Sequence, residues 1–547
     1  MAQDSLGKQL ALILFTAFFL FSIVVVLWHR EIYGLETRSA LFVRDMLAGG
    51  SLMVPHLYGR PYTDYPCLFF IFQYVFSLPS GHVTALSISL PSALSASGLI
   101  LLTWWFTKDH LREKVAFIAT ICLAALPEFW LKAQKATIDM LLALECSIAI
   151  VCLFQAEKAG RKQVSRAFNL FAYLSILAGV LTKGLVGLLP LFCWFLYLAL
   201  QKRFMDILIA IPKWILISVA AICLEAMLFF KTGGIQLVEQ AISSQFLSRI
   251  GGQPNKPFYY YFIYLALSFL PWILWILAQL SLMKRSSYTR TESQKVEGLD
   301  DNRLLPLLVA WSSGILIPYL LSASRHGRYI LPAFMPLAIA MALPISRLTD
   351  MLDEEDVHRL LRGVFILSIT VGIILLVLFV WNPFGSKRAF GALVLLSTMA
   401  FFCAWIVWRL EIDIRPFFLF AILMTYSTSA ACLTIEPGIS QKESAQKFAM
   451  CTEKSLSPGE KVILVGLKPD KNGIKYALFS MAYPKTLLFI QGPEGLKNLS
   501  LPFVLVIPEK NLEIIAPFLS RHVTRILCQG SIHNRKVLSL KIISSKK

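Results

Sequence analysis

Three potential cations and a tyrosine fall within five residues in the run SRHGRYILP, where Arg325, His326, Arg328 and Tyr329 stand at the head of an apolar segment. Arginine presents its donors as a planar fork that matches the oxygens of a phosphate, so this grouping suits an anion. Lys183, in LTKG between two apolar runs, offers another cation, either as a phosphate ligand or as a lysine reaching for the interface. Lys132, Lys135 and Asp139 open a further apolar run. An aspartate one turn into such a helix needs a cavity or a cationic partner, and the helix start itself also favours it.

The stretch Glu31 to Pro66 concentrates the polar chemistry of the first hundred residues. Glu36, Arg38, Arg44 and Asp45 fall on a helix expected over 36–48. Phe42, Val43, Met46 and Leu47 form its apolar stripe, and Gly49-Gly50 ends it. Pro55, Gly59, Pro61 and Pro66 then enforce turns that present His56, Tyr62, Asp64 and Tyr65. The same features also suit a helix lying on a membrane surface that merely anchors what precedes it. A later loop, 231–258, carries Glu239, Gln245 and Arg249 and ends in NKPFYYYF, whose aromatic run reads first as an interfacial belt.

What must position these residues follows from composition. The chain has 547 residues, 56% hydrophobic and 16% charged, with mean hydropathy +0.65. A soluble fold has no place for that much apolar surface. About thirteen continuous apolar runs, each near the length that crosses ~30 Å of hydrocarbon, give a polytopic α-helical membrane protein. They lie roughly at 7–28, 83–106, 114–130, 137–155, 167–182, 184–200, 207–230, 259–283, 304–321, 329–346, 363–381, 389–408 and 417–435. Because the runs do not alternate, a β-barrel is excluded. The formal charge of +19 reflects Lys and Arg gathered in alternate loops, and it needs no nucleic acid as partner. Those loops set the N-terminus in the cytoplasm, so that 29–82 becomes the first outer loop and the segment after Pro437-Gly438 falls outside.

That segment changes character. KVILVGL (461–467), KTLLFI (485–490), PFVLVIP (502–508) and KVLSLKII (536–543) read as strands between polar and helical stretches such as 511–519. The expected division is a transmembrane domain over 1–436 and an extracytoplasmic α/β domain over 437–547. Cys451 and Cys528 both lie in the latter, paired or free. No Walker pattern, HExxH, GxSxG or Cys/His metal cluster occurs. A membrane enzyme with an outer site and no nucleotide motif needs a substrate already activated there, and a lipid-phosphate-linked sugar meets that need.

The run GLETRSALFVRDMLAGGSLMVPHLYGRPYTDYP resembles the first outer loop of the bacterial protein-mannosyltransferase-like glycosyltransferases, the lipid A aminoarabinose transferase type included. KATIDMLLAL, LTKG, the Arg249 loop with KPFYYY, and RYILPAFMPLAIA extend the resemblance over about residues 1–350. It implies a C-type glycosyltransferase fold in the bacterial inner membrane. It also implies transfer of a sugar from a polyprenyl-phosphate donor to a glycolipid such as lipid A or a lipopolysaccharide core. Carried over by position, Glu36 and Asp139 take catalytic roles. Arg38, Tyr62, Asp64, Lys183 and Tyr329 take substrate-binding roles in the same way, and Arg249, Arg325 and Arg328 are read from their charge as further ligands of the donor phosphate.

The departures are specific. The family's leading Asp falls on Leu35, its phosphate-contacting Lys on Tyr65, and its Glu-His pair on Gln245-Phe246. A divalent metal resting on Asp64 and that His therefore loses a ligand, which leaves the cofactor open. Two other readings stay open: a protein O-glycosyltransferase, and a degenerate family member or lipid flippase.

Overall fold

The computed structural model describes residues 2–57, 59–247, 255–283, 303–381, 387–409, 414–443, 445–457, 460–465, 488–490, 493–496, 499–532 and 535–545. Arg249, and the first half of the expected strand at 485–490, lie outside them. The chain separates into two compact units. The first is Met1–His29, Thr63–Gln73 and Ser89–Thr434; the second is Arg30–Tyr62, Tyr74–Ile88 and Ile435–Lys547.

Among the described residues, ten helices, nearly all of their length in the first unit, are long and apolar enough to cross a bilayer. Two bent pairs, Glu113–Ala124 with Pro127–Ala133 and Tyr260–Ser268 with Leu270–Leu282, raise that to twelve. The 39-residue stretch Lys162–Leu200 is itself folded back. Gly184 takes φ +65°, and a Cβ on Gly187 would run into the backbone of Gly179 and Val180. Residues eight apart in a straight helix stand about 12 Å from one another at 1.5 Å per residue, so the chain reverses here. Counting its two arms separately gives the thirteen spans expected from the sequence. Phe204–Gln245 and Glu354–Val377 bury only 11% of their apolar windows, an all-round apolar surface that only lipid solvates. This is a multi-pass membrane protein. Pro91, Pro212, Pro318 and Pro344 lie inside its helices, as neighbouring helices in a membrane allow. Phe204–Ile242 breaks at Gly233-Gly234, where the backbone leaves the helical region.

In the second unit the helix expected over 36–48 runs Glu36–Leu47. A two-strand ribbon, β1 (His56–Leu57) and β2 (Arg60–Pro61), follows. Towards the C-terminus the described residues form a five-stranded sheet, with β3 (Lys461–Val465), β4 (Leu488–Ile490), β5 (Phe503–Pro508), β6 (His522–Ile532) and β7 (Arg535–Ser545) in the order β4-β3-β5-β7-β6. The first three are parallel, while β7 and β6 add antiparallel. Val462, Leu464, Val504 and Val506 face Ala445 and Phe448. The alternate residues Ile463, Val465, Leu505 and Ile507 face Ile515 and Phe518 of helix Leu512–Leu519. This period-two alternation covers both faces, the arrangement of a small α/β layer structure. Cys451 and Cys528, left open by the sequence, form a disulfide with Cα atoms 6.1 Å apart.

Candidate active site

Four of the expected site residues meet in the first unit. Asp139 sits in the first turn of helix Ile138–Lys158, and Lys183 is the last residue of Lys162–Lys183. Arg328 and Tyr329 stand in the short 3₁₀ segment Gly327–Ala333. Lys183 Nζ donates to Asp139 Oδ1, and Arg328 Nε lies 3.2 Å from Asp139 Oδ2. The Lys183 ammonium also stands 4.1 Å from the centre of the Tyr329 ring, a cation–π contact. Tyr329 stacks on Tyr319 at 5.4 Å and takes the His326 ring edge-on at 5.1 Å.

Side-chain exposure separates the two cations: 1% for Lys183 and 20% for Arg328. Lys183 is thus built into the protein, while Arg328 is the more accessible of the two cations. Two cations share one carboxylate, which leaves the cluster one positive charge in excess. His326 adds none at neutral pH. Burial, then the Arg328 and Lys256 charges, lower its pKa below the usual imidazole value.

Arg325 has a different place from the one expected. It is buried, and its guanidinium donates to the Lys256 and Leu320 carbonyls at 2.6 and 2.8 Å, while its amide donates to Asn255 Oδ1 at 2.8 Å. An arginine spent on carbonyls is a strut for the loop that carries Arg328. The aromatic run splits in the same sense. Phe258 and Tyr259 are exposed, whereas the Tyr260 and Tyr261 hydroxyls accept from the Gly327 and His326 amides at 3.1 and 3.2 Å.

Sequence reasoning missed Glu128 and Tyr264. Tyr264 donates its hydroxyl to Glu128 Oε1, which also pairs with Lys132 at 2.7 Å. The Tyr264 ring lies so close to Gly327 that a Cβ there would overlap it. The available signal was an acid directly after Pro127 in an otherwise apolar run. Thr63, next to the half-buried Asp64, accepts from Gln245 Nε2 through its carbonyl at 2.9 Å and from Ser244 Oγ through its hydroxyl at 3.2 Å.

The remaining candidates form pairs in the second unit. Arg38 donates to the Tyr62 hydroxyl at 2.6 Å and lies over its ring, which packs on Phe42 at 4.9 Å. Glu36 is buried with both oxygens 2.7 Å from Arg30, a bidentate pair. Tyr33 donates to Glu436 Oε1 at 3.0 Å; burial and the Glu436 charge push its pKa well up, so it stays a donor. Leu35, where the resemblance implies an Asp, precedes the helix with no side-chain cap and is 44% exposed.

Comparison with known proteins places the chain among similar sequences and folds. Residues 60–230 match the family profile described as dolichyl-phosphate-mannose-protein mannosyltransferase. An undecaprenyl phosphate-alpha-4-amino-4-deoxy-L-arabinose arabinosyl transferase of Edwardsiella ictaluri is 26% identical over 402 residues, which cover 69% of this chain and 66% of that one. Its counterpart in Aeromonas hydrophila is 25% identical over 417 residues, covering 71% and 70%. The crystal structure of ArnT from Cupriavidus metallidurans, bound to undecaprenyl phosphate, superposes with a TM-score of 0.71 at 17% identity, over 96% of this chain and 97% of that one. The chain therefore adopts the C-type glycosyltransferase fold of that protein and resembles the aminoarabinose transferases in sequence.

Proposed function

We propose that this protein is a glycosyltransferase that moves a sugar from a polyprenyl-phosphate donor to a glycolipid, lipid A or a lipopolysaccharide core. The observation that carries this reading is the excess positive charge of the Asp139–Lys183–Arg328 cluster. It is held at a membrane-protein site in a chain similar to transferases named for an undecaprenyl phosphate-linked sugar.

Each residue then has a task. Arg328 takes the donor phosphate, with Lys183 behind it, and both stabilise the charge that grows on phosphate as the bond to the sugar breaks. Asp139 fixes the two cations at the geometry the phosphate needs. The acceptor oxygen forms the new bond to the anomeric carbon while the old carbon–oxygen bond breaks, and its electron pair leaves with the lipid phosphate. A phosphate acceptor is already nucleophilic and requires no strong base. That suits a chain with Leu35 at the position where the resemblance implies Asp. Tyr329 holds the Lys183 ammonium against its ring; Arg38, Tyr62 and Asp64 are substrate ligands from the first loop, and Arg249 is a further phosphate ligand. For Glu36 the Arg30 pair supports holding the start of its helix over taking a proton.

The N-terminus is assigned to the cytoplasm of the bacterial inner membrane, and 437–547 to an extracytoplasmic domain. The basic alternate loops support this, as does a disulfide in that domain, a bond that persists in oxidising compartments. A second reading, a non-catalytic family member, rests on the hydrocarbon side chain of Leu35. Mass spectrometry of lipid A and surface glycans from cells with and without the gene tests the proposal. A sugar-modified lipid species that disappears with the gene supports it. Loss of a protein-linked glycan with unchanged lipids moves the acceptor to protein, and no change at all favours the non-catalytic reading.

A further inference from the structure

The resemblance in the first outer loop implies a divalent metal between Asp64 and the His of a Glu-His pair, and here that pair reads Gln245-Phe246. The structure shows that the two segments do meet. Gln245 Nε2 donates to the Thr63 carbonyl at 2.9 Å, one residue before Asp64, and Ser244 Oγ bonds the Thr63 hydroxyl at 3.2 Å. The other end of the same amide, Oε1, lies against Gly184, so close that a Cβ on Gly184 would overlap it. Gly184 directly follows Lys183. Gln245 thus sits where three segments converge: the stretch with Asp64, the turn with Lys183, and its own helix.

The donors gathered here do not make a site for a transition metal. Such an ion takes several carboxylate, imidazole or thiolate ligands at about 2.0–2.3 Å. A side-chain amide already donating to a carbonyl is a poor substitute. The small cavity beside Gln245, about 140 Å³, is lined by apolar side chains apart from Gln245 and one carboxylate, Glu225. Among the described residues, no three His, Cys, Asp or Glu side chains come together in a metal-binding group.

We propose that Gln245 replaces the metal as a positioning residue: its amide clasps the Asp64 segment to the Lys183 turn, and the protein works without a divalent ion at this place. For catalysis this rests on the transferase reading above, so the primary test does not depend on turnover. The full chain in lipid nanodiscs is dialysed against zinc and manganese, and its metal content and thermal unfolding midpoint are measured with and without EDTA. The expected result is less than about one-tenth of an ion per chain and an unchanged midpoint. Near-stoichiometric metal, lost to EDTA with a falling midpoint, overturns the proposal.

Two variants sharpen it. Gln245→Glu keeps the size and removes the donor to Thr63, and should lower the midpoint by about 2 °C or more. The double change Gln245→Glu with Phe246→His introduces the Glu-His pair that the resemblance implies and should take up about one zinc per chain. A double variant that is folded by its unfolding transition yet free of zinc overturns the placement of the clasp at the metal's position. On an active preparation, EDTA should leave transfer unchanged, while Gln245→Ala lowers kcat at least tenfold. EDTA inhibition that zinc reverses would contradict the proposal. An inactive preparation leaves the metal and midpoint results standing.

Discussion

Asp139 divides its carboxylate between two cations, accepting from the Lys183 ammonium on one oxygen and standing 3.2 Å from Arg328 Nε on the other. The Lys183 and Asp139 side chains are 1% and 4% exposed, so each charge depends on the other for compensation. Removing one partner of such a buried pair costs about 3–5 kcal/mol, because the survivor stays charged and dry. Asp139→Asn and Lys183→Met should each lower the unfolding midpoint in nanodiscs by several degrees, and the double change should recover much of the loss. Strict additivity of the two would show that the pair is not coupled.

Arg328 should behave differently, because it is the more exposed of the two cations. Arg328→Ala is expected to change stability by less than about 1 kcal/mol and to slow transfer by about a hundredfold, the scale of one lost electrostatic stabiliser. Comparing unfolding with turnover in one preparation checks this. A large fall in stability with normal turnover would make Arg328 structural.

Gly327 leaves no room for a side chain, because the Tyr264 ring occupies the position a Cβ would take. Gly327→Ala should destabilise by about 1–3 kcal/mol, as overpacking does. In a Tyr264→Ala background the same glycine change should cost much less, whereas an undiminished loss would place the strain elsewhere.

The Arg30–Glu36 pair offers a test of chemistry against architecture. Glu36→Gln leaves the buried Arg30 short of its counter-ion, at a cost of roughly 3 kcal/mol. The double change Arg30→Met with Glu36→Leu removes both charges and is expected to fold and to keep transfer within about tenfold, since neither charge is then left uncompensated. A well-folded double variant without transfer would return Glu36 to a catalytic role.

In the C-terminal region, Lys541 Nζ lies 2.5 Å from Glu460 Oε1, and the Ser457 amide donates to Oε2 at 2.9 Å. Burial alone would raise the Glu460 pKa, but the Lys541 and Ser457 hydrogen bonds outweigh it and the pKa is lowered. A carboxylate held below its unfolded value of 4.5 contributes stability that is complete above that pH and lost as pH falls below it. Protease resistance of this region should therefore drop on acidification, and Glu460→Gln should flatten that dependence. An identical acid profile in the variant would mean other groups set it.

The membrane fold was legible in the sequence because apolar run length is a direct physical demand of the bilayer. The thirteen runs survive even where the chain reverses at Gly184 without a polar loop. The sheet was less legible: HVTRILCQGSI, now β6, lacks clean alternation, since it is an edge strand with bulges between Val523/Thr524 and Ile526/Cys528. At the site, residue type announced Asp139, Lys183 and Arg328 but not how their charges are spent. Arg325 and Arg328 look alike in SRHGRYILP, and only the position of the Lys256 and Leu320 carbonyls makes the first a strut. Arg30 escaped notice because it closes an apolar span, where basic residues usually mark the interface.

The most direct measurement is transfer by the purified protein, in nanodiscs, from an undecaprenyl phosphate-linked sugar to lipid A, with Arg328→Ala and Asp139→Asn alongside. Sugar-modified lipid A made by the wild-type chain and reduced about a hundredfold or more in both variants is the predicted result. Full activity in both variants, or no transfer by a well-folded wild-type chain from any polyprenyl-phosphate sugar offered, would contradict it.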